Sequence, residues 1–334
     1  MKQVAVIILN WNGRKLLEEF LPQVVSTTDP DIADVIVADN GSTDSSADYV
    51  ASNFPTVKLI RFDENYGFAE GYNRAIAVTN YPLTVLLNSD VAPTTGWINT
   101  LTRYMDAHPG VAACQPKILN YKAKDEFEYA GAAGGFIDRN GYPYCRGRIF
   151  TSIEKDAGQY DDTIPVFWAT GAALMVRSDI YKQVGGLDAR FFAHMEEIDL
   201  CWRILLAGHS IMAVTAATVY HLGGGSLPAS NPRKTYLNFR NNLLLLHKNL
   251  PDTTRCRKLL RRRLLDTLAW AKFVATMQWD NAGAVLRAHR DFRRMARLYT
   301  EHPAHDLLDE RNDTHRNIIA DHYLRGIRRF SQLK

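Results

Sequence analysis

The sequence predicts an α/β protein, in which a mostly parallel sheet carries helices on both faces and a helical extension follows. Short apolar runs rich in Val, Ile and Leu alternate with helical patterns through the first half of the chain. This alternation is typical of parallel sheets joined by crossover helices. From Tyr236 onward the pattern is almost wholly helical. The 334 residues are 46% hydrophobic and 23% charged, values ordinary for a folded protein with a large core.

Seven runs have the composition of buried strands. They cover residues 4–10, 34–40, 57–62, 83–90, 111–119, 166–178 and 211–222. The fourth run stops on Asn88-Ser89-Asp90, and Pro93 prevents a central strand from continuing beyond it. Residues 120–165 show poor periodicity and predict loops with short antiparallel strands.

Helical spacing of apolar residues fills the intervals between these strands and most of the remaining chain. The predicted helices cover residues 14–26, 45–54, 68–79, 94–109, 178–186, 196–208, 236–250, 255–277, 282–300 and 316–330. We therefore expect an α/β domain over residues 1–245 and a helical region over residues 246–334.

Charge and cysteine usage restrict the class of protein. Residues 251–334 carry 18 Lys or Arg and 10 Asp or Glu, a net charge of +8, whereas residues 1–250 carry 22 and 26, a net charge of −4. The four cysteines form no CxxC pair, so neither a zinc site nor a disulfide framework is indicated. The N-terminal apolar run is too short to span a membrane. We expect a cytoplasmic protein, with association to the inner face of the cell membrane left open.

Polar residues follow the first two predicted strands where each strand ends. Asn10 and Asn12 lie in one turn, and Asp39 and Asn40 lie in the next. The carboxyl ends of neighbouring parallel strands share one edge of a sheet, where ligands bind in open α/β folds. These residues therefore predict contacts to a nucleotide base or ribose. Alternatively, Asn-Gly and Asp-Asn-Gly simply form turns.

Phosphate binding has to be achieved without a glycine-rich cradle. The sequence has neither GxGxxG after the first strand nor GxxxxGK[ST], so dinucleotide and P-loop folds are disfavoured. A divalent cation that bridges a diphosphate would replace the cradle, and Asp90 is the candidate ligand. The alternative is again a turn, because Asn and Asp favour turns.

The segment ENYGFAEGYNRA, residues 64–75, predicts a second part of the same pocket. Gly67 and Gly71 permit close approach of a ligand to the backbone at a helix start. Asn73 and Arg74 follow within one turn, and Arg74 is a candidate phosphate ligand. A solvated surface arginine explains Arg74 equally well.

Carboxylates and a histidine later in the chain suggest further chemistry. Glu196, Glu197 and Asp199 open a helix flanked by aromatic residues. A carboxylate against apolar walls has a raised pKa and suits general-base catalysis, although acidic residues also stabilise a helix N-terminus. His221 ends a strand before three glycines, so it is a candidate ligand beside a loop able to close over a substrate.

Taken together, these segments resemble the family 2 glycosyltransferases of the GT-A fold, especially bacterial rhamnosyltransferase-like members. The resemblance covers about residues 3–226 and rests on several spaced motifs: VIILNWNG, VIVADNGSTD, ENYGFAEGYN, LLNSD, TGAALMVRSDIYKQVGGLDARFF, EEIDLCWR and VYHLGGGS. It implies inverting transfer of a sugar from a nucleotide-diphosphate donor, such as a UDP- or dTDP-sugar, to a glycan or lipid-linked acceptor of cell-surface polysaccharide synthesis.

The resemblance also implies roles for individual residues. Asp39 would bind the base with Asn10 nearby, Asp90 would bind Mg²⁺ or Mn²⁺, and His221 would complete the metal site. Asn88-Ser89-Asp90 stands at the DxD motif of the family, with Asn88 in place of the first aspartate. Glu196-Glu197 replaces the usual Glu-Asp pair, with Glu197 at the position of the base. Three residues before the strand that leads to Glu197 are expected on the acceptor side: Trp168, Thr170 and Gly171. Trp168 is equally consistent with a core tryptophan.

Two other functions are compatible with parts of the sequence. A non-catalytic nucleotide- or carbohydrate-binding scaffold on the same fold is the main alternative, and a nucleotidyltransferase lacks the expected phosphate loop. The basic C-terminal helices predict either packing on the first domain or a partner, as in a homodimer, or contact with an anionic membrane. Their leucines are Leu259, Leu260, Leu264, Leu265 and Leu268. No nucleic-acid-binding module is recognisable.

Overall fold

A computed structural model of the protein describes residues 2–223 and 231–333. Within these ranges nine strands form the main sheet, in the order β11-β13-β6-β12-β4-β1-β2-β3, with β5 paired to β13. The strands of this sheet are β1 (Val4–Asn10), β2 (Ala33–Asn40), β3 (Lys58–Phe62), β4 (Leu83–Leu87), β5 (Val91–Pro93), β6 (Val111–Asn120), β11 (Ile164–Pro165), β12 (Ala173–Arg177) and β13 (Ser210–His221). A small antiparallel sheet contains β7 (Gly135–Ile137), β8 (Pro143–Cys145), β9 (Arg148–Ile149) and β10 (Ser152–Ile153).

The strand directions of the main sheet bring several chain segments to one edge. Strands β1, β2, β3 and β4 are parallel to one another. Strand β12 runs antiparallel to both β4 and β6, and β13 is parallel to β6. The carboxyl ends of β1, β2, β4 and β13 and the start of β12 therefore meet at the same edge.

Helices cover both faces of the main sheet and build the C-terminal region. They are α1 (Arg14–Thr27), α2 (Ser46–Asn53), α3 (Gly67–Ala77), α4 (Trp97–Ala107), α5 (Ser178–Gln183), α6 (Glu196–Leu206), α7 (Pro232–Asn249), α8 (Asp252–Ala275), α9 (Trp279–Met295) and α10 (Leu307–Glu310). None of the described helices is long and apolar enough to cross a membrane. Of the helix expected over residues 316–330, only residues 318–324 are α- or π-helical. Its π-helical part, Ala320–Leu324, ends before Gly326, whose φ of +69° is left-handed.

Two hydrophobic clusters form the core, one on each face of the sheet. Val4, Val6 and Ile8 of β1 point to the face covered by α1 and α4, whereas Ala5 and Ile7 point to the other face. The alternation follows from the two-residue period of a strand. The second face also receives the four buried leucines of α7, residues 243–246. The expected boundary at residue 245 falls inside α7, whose side chains belong to this core.

Candidate active site at the carboxyl edge of the sheet

The first two strands place Asn10 beside Asp39 at this edge, as the sequence predicts. These residues are paired in the parallel register of β1 and β2. The Asn10 amide donates hydrogen bonds to Asp39 Oδ1 at 3.0 Å, Ser42 Oγ at 3.1 Å and Ser46 Oγ at 2.8 Å. Asn10 Oδ1 is buried without a hydrogen-bond partner. An unpaired buried acceptor is costly in a folded protein, and a hydrogen-bond donor on a ligand would offset that cost.

Asn12 and Asn40 organise the turns around this pair. Asn12 has a positive φ of 49°, and its Oδ1 accepts a hydrogen bond from the Thr43 backbone at 2.8 Å. The Asn40 side chain donates to Asn65 Oδ1 at 2.9 Å and accepts from the Tyr66 backbone at 3.1 Å. Asn40 therefore fixes the segment that enters α3, and Asn12 joins the two turns.

The start of α3 packs tightly against the same edge. A Cβ atom on Gly71 would lie 2.8 Å from the Leu9 side chain and 3.2 Å from Asn40 Nδ2, and Gly67 has a φ of +78° with open space around it. Both positions thus need glycine, Gly71 for space and Gly67 for its backbone conformation.

The two polar residues of α3 have different surroundings. Asn73 is held by the Leu187 backbone, at 2.8 and 3.0 Å, and by the Tyr181 hydroxyl at 2.6 Å. Arg74 forms an exposed ion pair with Glu70 at 2.9 Å and lies over the Tyr66 ring. Asn73 therefore braces α3 against the segment before α6, and Arg74 has the surface position that was the alternative to phosphate binding.

Asp90 and His221 meet although 131 residues separate them. His221 Nε2 lies 3.0 Å from Asp90 Oδ1 and 3.4 Å from the Asn88 amide nitrogen. On the other side of the ring, His221 Nδ1 lies 3.5 Å from Glu128 Oε2. Both Asp90 and His221 are buried, and Ser89 lies between the two strand-end residues Asn88 and Asp90. Residues 224–230, with two of the glycines after His221, lie outside the described ranges.

The carboxylates beside His221 determine its protonation. Burial alone lowers the pKa of His221, but hydrogen bonds and charges from Asp90 and Glu128 outweigh it and raise the pKa to about 10. The two carboxylates therefore favour the protonated form of the imidazole.

The spacing of these two side chains also suits a divalent cation. Adjacent ligands of an octahedral ion at about 2.1 Å are roughly 3 Å apart, which matches the 3.0 Å between His221 Nε2 and Asp90 Oδ1. The described residues contain no group of three or more His, Cys, Asp or Glu side chains arranged to hold a metal ion. Asp90 and His221 would thus leave most coordination positions to diphosphate oxygens and water, as is usual for Mg²⁺.

Glu196 and Glu197 open α6 with raised proton affinities. Burial raises the pKa of Glu196 well above its ordinary value, and the Glu197 charge raises it further. Burial likewise raises the pKa of Glu197. The Oε2 atoms of both residues are buried without a hydrogen-bond partner. A raised pKa and an unpaired buried oxygen are features that general-base carboxylates share.

The segment that precedes Glu196 and Glu197 has an unusual backbone conformation. Phe192, His194 and Met195 have φ values of 67°, 68° and 76°, which L-residues rarely adopt. The Asn241 amide in α7 donates to the backbone oxygens of Phe191, Ala193 and His194 at 2.9, 2.8 and 2.7 Å. This single buried side chain thus holds the strained segment, and the neighbouring Arg240 also donates to Phe191 O at 2.7 Å.

Of the three residues expected on the acceptor side, Gly171 is the one that lies against Glu197. A Cβ on Gly171 would be 3.6 Å from Glu197 Cβ and 3.8 Å from Phe68 Cζ, so Gly171 lies directly against Glu197. The Asn88 backbone N–H donates to Ala172 O at 3.0 Å. This short chain of contacts links Glu197 through residues 171 and 172 to the strand end that carries Asp90.

The other two residues expected on the acceptor side, Trp168 and Thr170, are buried and make core contacts. The Trp168 ring is 3% exposed, packs on Gly135 and donates from Nε1 to Phe136 O at 2.8 Å. These contacts correspond to the core-tryptophan alternative. Thr170 is also buried, and its backbone amide donates to Gln115 Oε1 at 3.0 Å. Both residues support the loop that presents Gly171.

Sequence reasoning missed three residues of this site. Glu128 lies in the aperiodic stretch after β6, and only the fold brings it to His221. Arg240 and Asn241 interrupt the leucine pattern of α7. Consecutive polar residues on an otherwise buried helix were the available signal for the last two, because buried polar groups are there to bond specific partners.

Comparison with known proteins identifies the family. Residues 5–185, more than half of the chain, match the family model "Glycosyl transferase family 2". The chain belongs to glycosyltransferase family 2. It is an enzyme that transfers sugars, which sets aside the scaffold and nucleotidyltransferase alternatives, and its fold is the GT-A fold predicted from the sequence.

Relatives and solved structures agree with this assignment. The chain is 28% identical over 234 residues to the N-acetylglucosaminyl-diphospho-decaprenol L-rhamnosyltransferase of Mycobacterium tuberculosis, a match that covers 65% of this chain and 75% of the relative. It is 38% identical over 163 residues to the rhamnosyltransferase WbbL of Escherichia coli K12, covering 47% of this chain and 61% of the relative. A mannosyltransferase from Pyrobaculum calidifontis in complex with GDP-Man and Mn²⁺ has the same fold, with a TM-score of 0.52, 14% identity and coverage of 89% and 84% of the two chains.

Proposed function

We propose that this enzyme transfers a deoxyhexose or hexose, with inversion, from a UDP- or dTDP-sugar to a hydroxyl of a lipid-linked glycan. dTDP-rhamnose is the first donor to test, because two relatives are named rhamnosyltransferases and one of them is named for a diphospho-decaprenol substrate. The observation that carries the proposal is the convergence of Asp90, His221 and Glu197 at one edge of the sheet through the contacts of residues 171 and 172.

The donor would bind across the ends of β1, β2 and β4. Asp39 and the unpaired Oδ1 of Asn10 are available to the base and ribose. Asp90 and His221 would hold Mg²⁺ or Mn²⁺, which neutralises charge on the diphosphate leaving group. Asn88, Asn12 and the glycines of α3 shape the remaining wall.

Glu197 acts as the general base on the acceptor. It lies against Gly171, and its raised pKa makes it a stronger proton acceptor than an ordinary carboxylate. As the acceptor oxygen attacks the anomeric carbon, its proton passes to Glu197 and the bond to the diphosphate breaks on the opposite face. Glu196 is buried and Glu197 is half-buried, and the Glu197 charge raises the pKa of Glu196, so Glu197 is the carboxylate assigned to take the proton.

A transfer assay tests this function directly. The purified chain is incubated with dTDP-rhamnose or a UDP-sugar, Mn²⁺ and a short-chain diphospholipid carrying N-acetylglucosamine, and the product is identified by mass spectrometry. We expect a glycosylated lipid, the opposite anomeric configuration to the donor, and loss of product in EDTA. Retention of configuration, or equal product in EDTA, would contradict the mechanism.

A further inference from the structure

Helix α8 presents apolar residues to solvent and charged residues to the protein. Leu260, Leu264 and Leu268 are 61%, 62% and 67% exposed, whereas Arg262 and Asp266 are the buried residues of this helix. We call these three leucines, spaced four residues apart, the leucine face of α8. A surface helix ordinarily buries its apolar stripe. The expected packing on the first domain is wrong for these three leucines, whereas Leu259 does pack against the core.

A polar network fixes α8 in this orientation. Arg262 Nε donates to Asp266 Oδ1 at 2.8 Å, and its guanidinium lies 3.8 Å from the centre of the Tyr142 ring and bonds to Asn242 Oδ1. His289 Nε2 lies 3.0 Å from Asp266 Oδ2. Turning the helix to bury its leucines would break a buried ion pair, which is strongly destabilising. The leucine face is therefore held outward by the fold.

Positive charge borders the leucine face. Arg257, Arg261 and Lys272 are exposed on the same side of α8, since residues three, four, seven and eight apart share a helix side. Asp266 is the only acidic residue between positions 253 and 275, and it is buried. The exposed side of α8 beyond its first residue thus combines leucines with cations and has no carboxylate.

A cationic pocket lies at the first end of this face. It has a volume of about 340 Å³, and its lining residues are Arg139, Arg257, Lys258, Arg261, Leu308, Asp309 and His315. Arg257 and Lys258 pair with Asp309 at 3.7 and 2.8 Å, whereas in the part of the chain that the structure describes neither Arg139 nor Arg261 has a carboxylate partner. The pocket is therefore suited to the phosphate of an anionic headgroup.

Aromatic and aliphatic residues extend the surface at the other end. Lys272 Nζ lies 5.7 Å from the centre of the Tyr323 ring, and both Tyr323 and the adjacent Leu324 are exposed. Met277, in the turn after α8, and Trp279, the first residue of α9, are exposed as well. Exposed aromatic and aliphatic side chains with flanking cations are typical of helices that lie in a membrane interface.

We infer that the leucine face of α8 docks this enzyme on the surface of an anionic lipid bilayer. The leucines would enter the acyl boundary, and Arg257, Arg261 and Lys272 would contact headgroup phosphates. Charge complementarity favours a bilayer over a second copy of the chain, because a two-fold contact through this face would bring the same cations against one another. The inference deepens the proposed function by placing the enzyme where a lipid-linked acceptor resides, yet it is measured without any transfer reaction.

Vesicle co-sedimentation of the full chain tests the inference. We expect binding to vesicles of equal phosphatidylglycerol and phosphatidylcholine, at least about tenfold weaker binding to phosphatidylcholine alone, and weakening in high salt. Leu264→Ser with Leu268→Ser should reduce binding about tenfold or more. Val78→Ser, an equally exposed apolar residue on the first domain, should leave it unchanged.

Charge variants provide the second arm. Arg257→Glu with Arg261→Glu should reduce binding to anionic vesicles about tenfold or more, at roughly 1 kcal/mol per cation. Arg103→Glu with Lys182→Glu alters the net charge equally on exposed positions of α4 and α5 and should have little effect.

Three outcomes would overturn the inference: no sedimentation with anionic vesicles, equal binding to neutral vesicles, or a dimer in light scattering that dissociates in the leucine variant without any vesicle binding. Activity of the leucine and charge variants on a water-soluble acceptor should match the unmodified enzyme. A loss of vesicle binding is therefore distinguishable from failure of the proposed transfer.

Discussion

Buried carboxylates at the carboxyl edge of the sheet and on the buried face of α8 differ in their pKa shifts and in their hydrogen-bond partners. At Asp266 burial opposes ionisation, but Arg262 and His289 outweigh it and lower the pKa. At Glu197 burial raises the pKa, and no basic side chain offsets it. Partners surround Asp266, whereas Glu196 and Glu197 each keep a buried oxygen unpaired. A carboxylate whose partners are complete holds the fold together, and one whose partners are missing is available to substrate.

The largest expected effect comes from removing the proton acceptor. Glu197→Gln keeps the shape of the side chain but cannot take a proton, so kcat should fall about 10²–10⁴-fold. Donor binding, measured by calorimetry with Mn²⁺, should be unchanged because the donor site lies on β1, β2 and β4. Glu196→Gln is the matched control and should cost much less. A larger fall in kcat for Glu196→Gln than for Glu197→Gln would identify Glu196 as the base instead.

The structural carboxylate should show the reverse behaviour. Asp266→Ala leaves Arg262 buried without its counter-ion, and we expect the free energy of unfolding to fall by about 3–5 kcal/mol, measured by urea denaturation. Asp48→Ala breaks the exposed Arg61 pair, whose side chains are 53% and 72% accessible, and should cost less than about 1 kcal/mol. Equal effects of the two substitutions would show that burial does not distinguish these ion pairs.

Asn241 links the two regions, because α7 belongs to both. Asn241→Ala removes three hydrogen bonds to the strained segment before Glu196, and leaving the backbone oxygens of Ala193 and His194 unpaired costs about 1–3 kcal/mol. We expect a matching loss of unfolding free energy together with a fall in kcat at unchanged donor affinity. Asn53→Ala, at an exposed position of α2, controls for loss of an amide. A kcat that stays unchanged would mean that the segment keeps its conformation without Asn241.

The smallest expected effect concerns Asp34, at the start of β2. It tests through pH whether the partners of a carboxylate outweigh its burial. Burial raises the pKa of Asp34, but hydrogen bonds from Lys2, Lys58 and Tyr81 outweigh it and lower the pKa to about 2. The folded pKa is depressed, so the stabilisation is complete above about pH 4 and is lost as the pH falls towards 2. Asp34→Asn should therefore flatten the decline of unfolding free energy in this window. An unchanged decline would mean that the three partners do not act on Asp34.

The sequence predicted the edge of the sheet better than its surroundings. Apolar runs that stop at Asn10, Asp39 and Asn88 mark the ends of β1, β2 and β4 to within one residue, and parallel pairing brings these ends together. The alternation of strands and helices could not predict that β12 lies antiparallel between β4 and β6, because the composition of a strand does not depend on its direction. Nor could it place Glu128, which reaches His221 only through the folded chain.

The C-terminal region was predictable in content but not in orientation. Its leucines and its charges both follow helical spacing, so the pattern does not state which side faces the protein. The Arg262–Asp266 pair decides this through partners on other elements, Tyr142, Asn242 and His289. Periodicity locates a helix, whereas the partners of its polar residues determine what it buries.

Cation-dependent nucleotide binding tests the central claim, the Asp90–His221 site, most directly. UDP and dTDP are added to the unmodified enzyme and to Asp90→Asn, each with Mn²⁺ or EDTA, and thermal unfolding is followed. A nucleotide at about 100 times its Kd stabilises the native state by about 2.7 kcal/mol. We predict a clear rise in Tm with Mn²⁺ and a small rise in EDTA for the unmodified enzyme, and small rises in both for Asp90→Asn. Equal stabilisation of the unmodified enzyme in Mn²⁺ and EDTA would contradict the account.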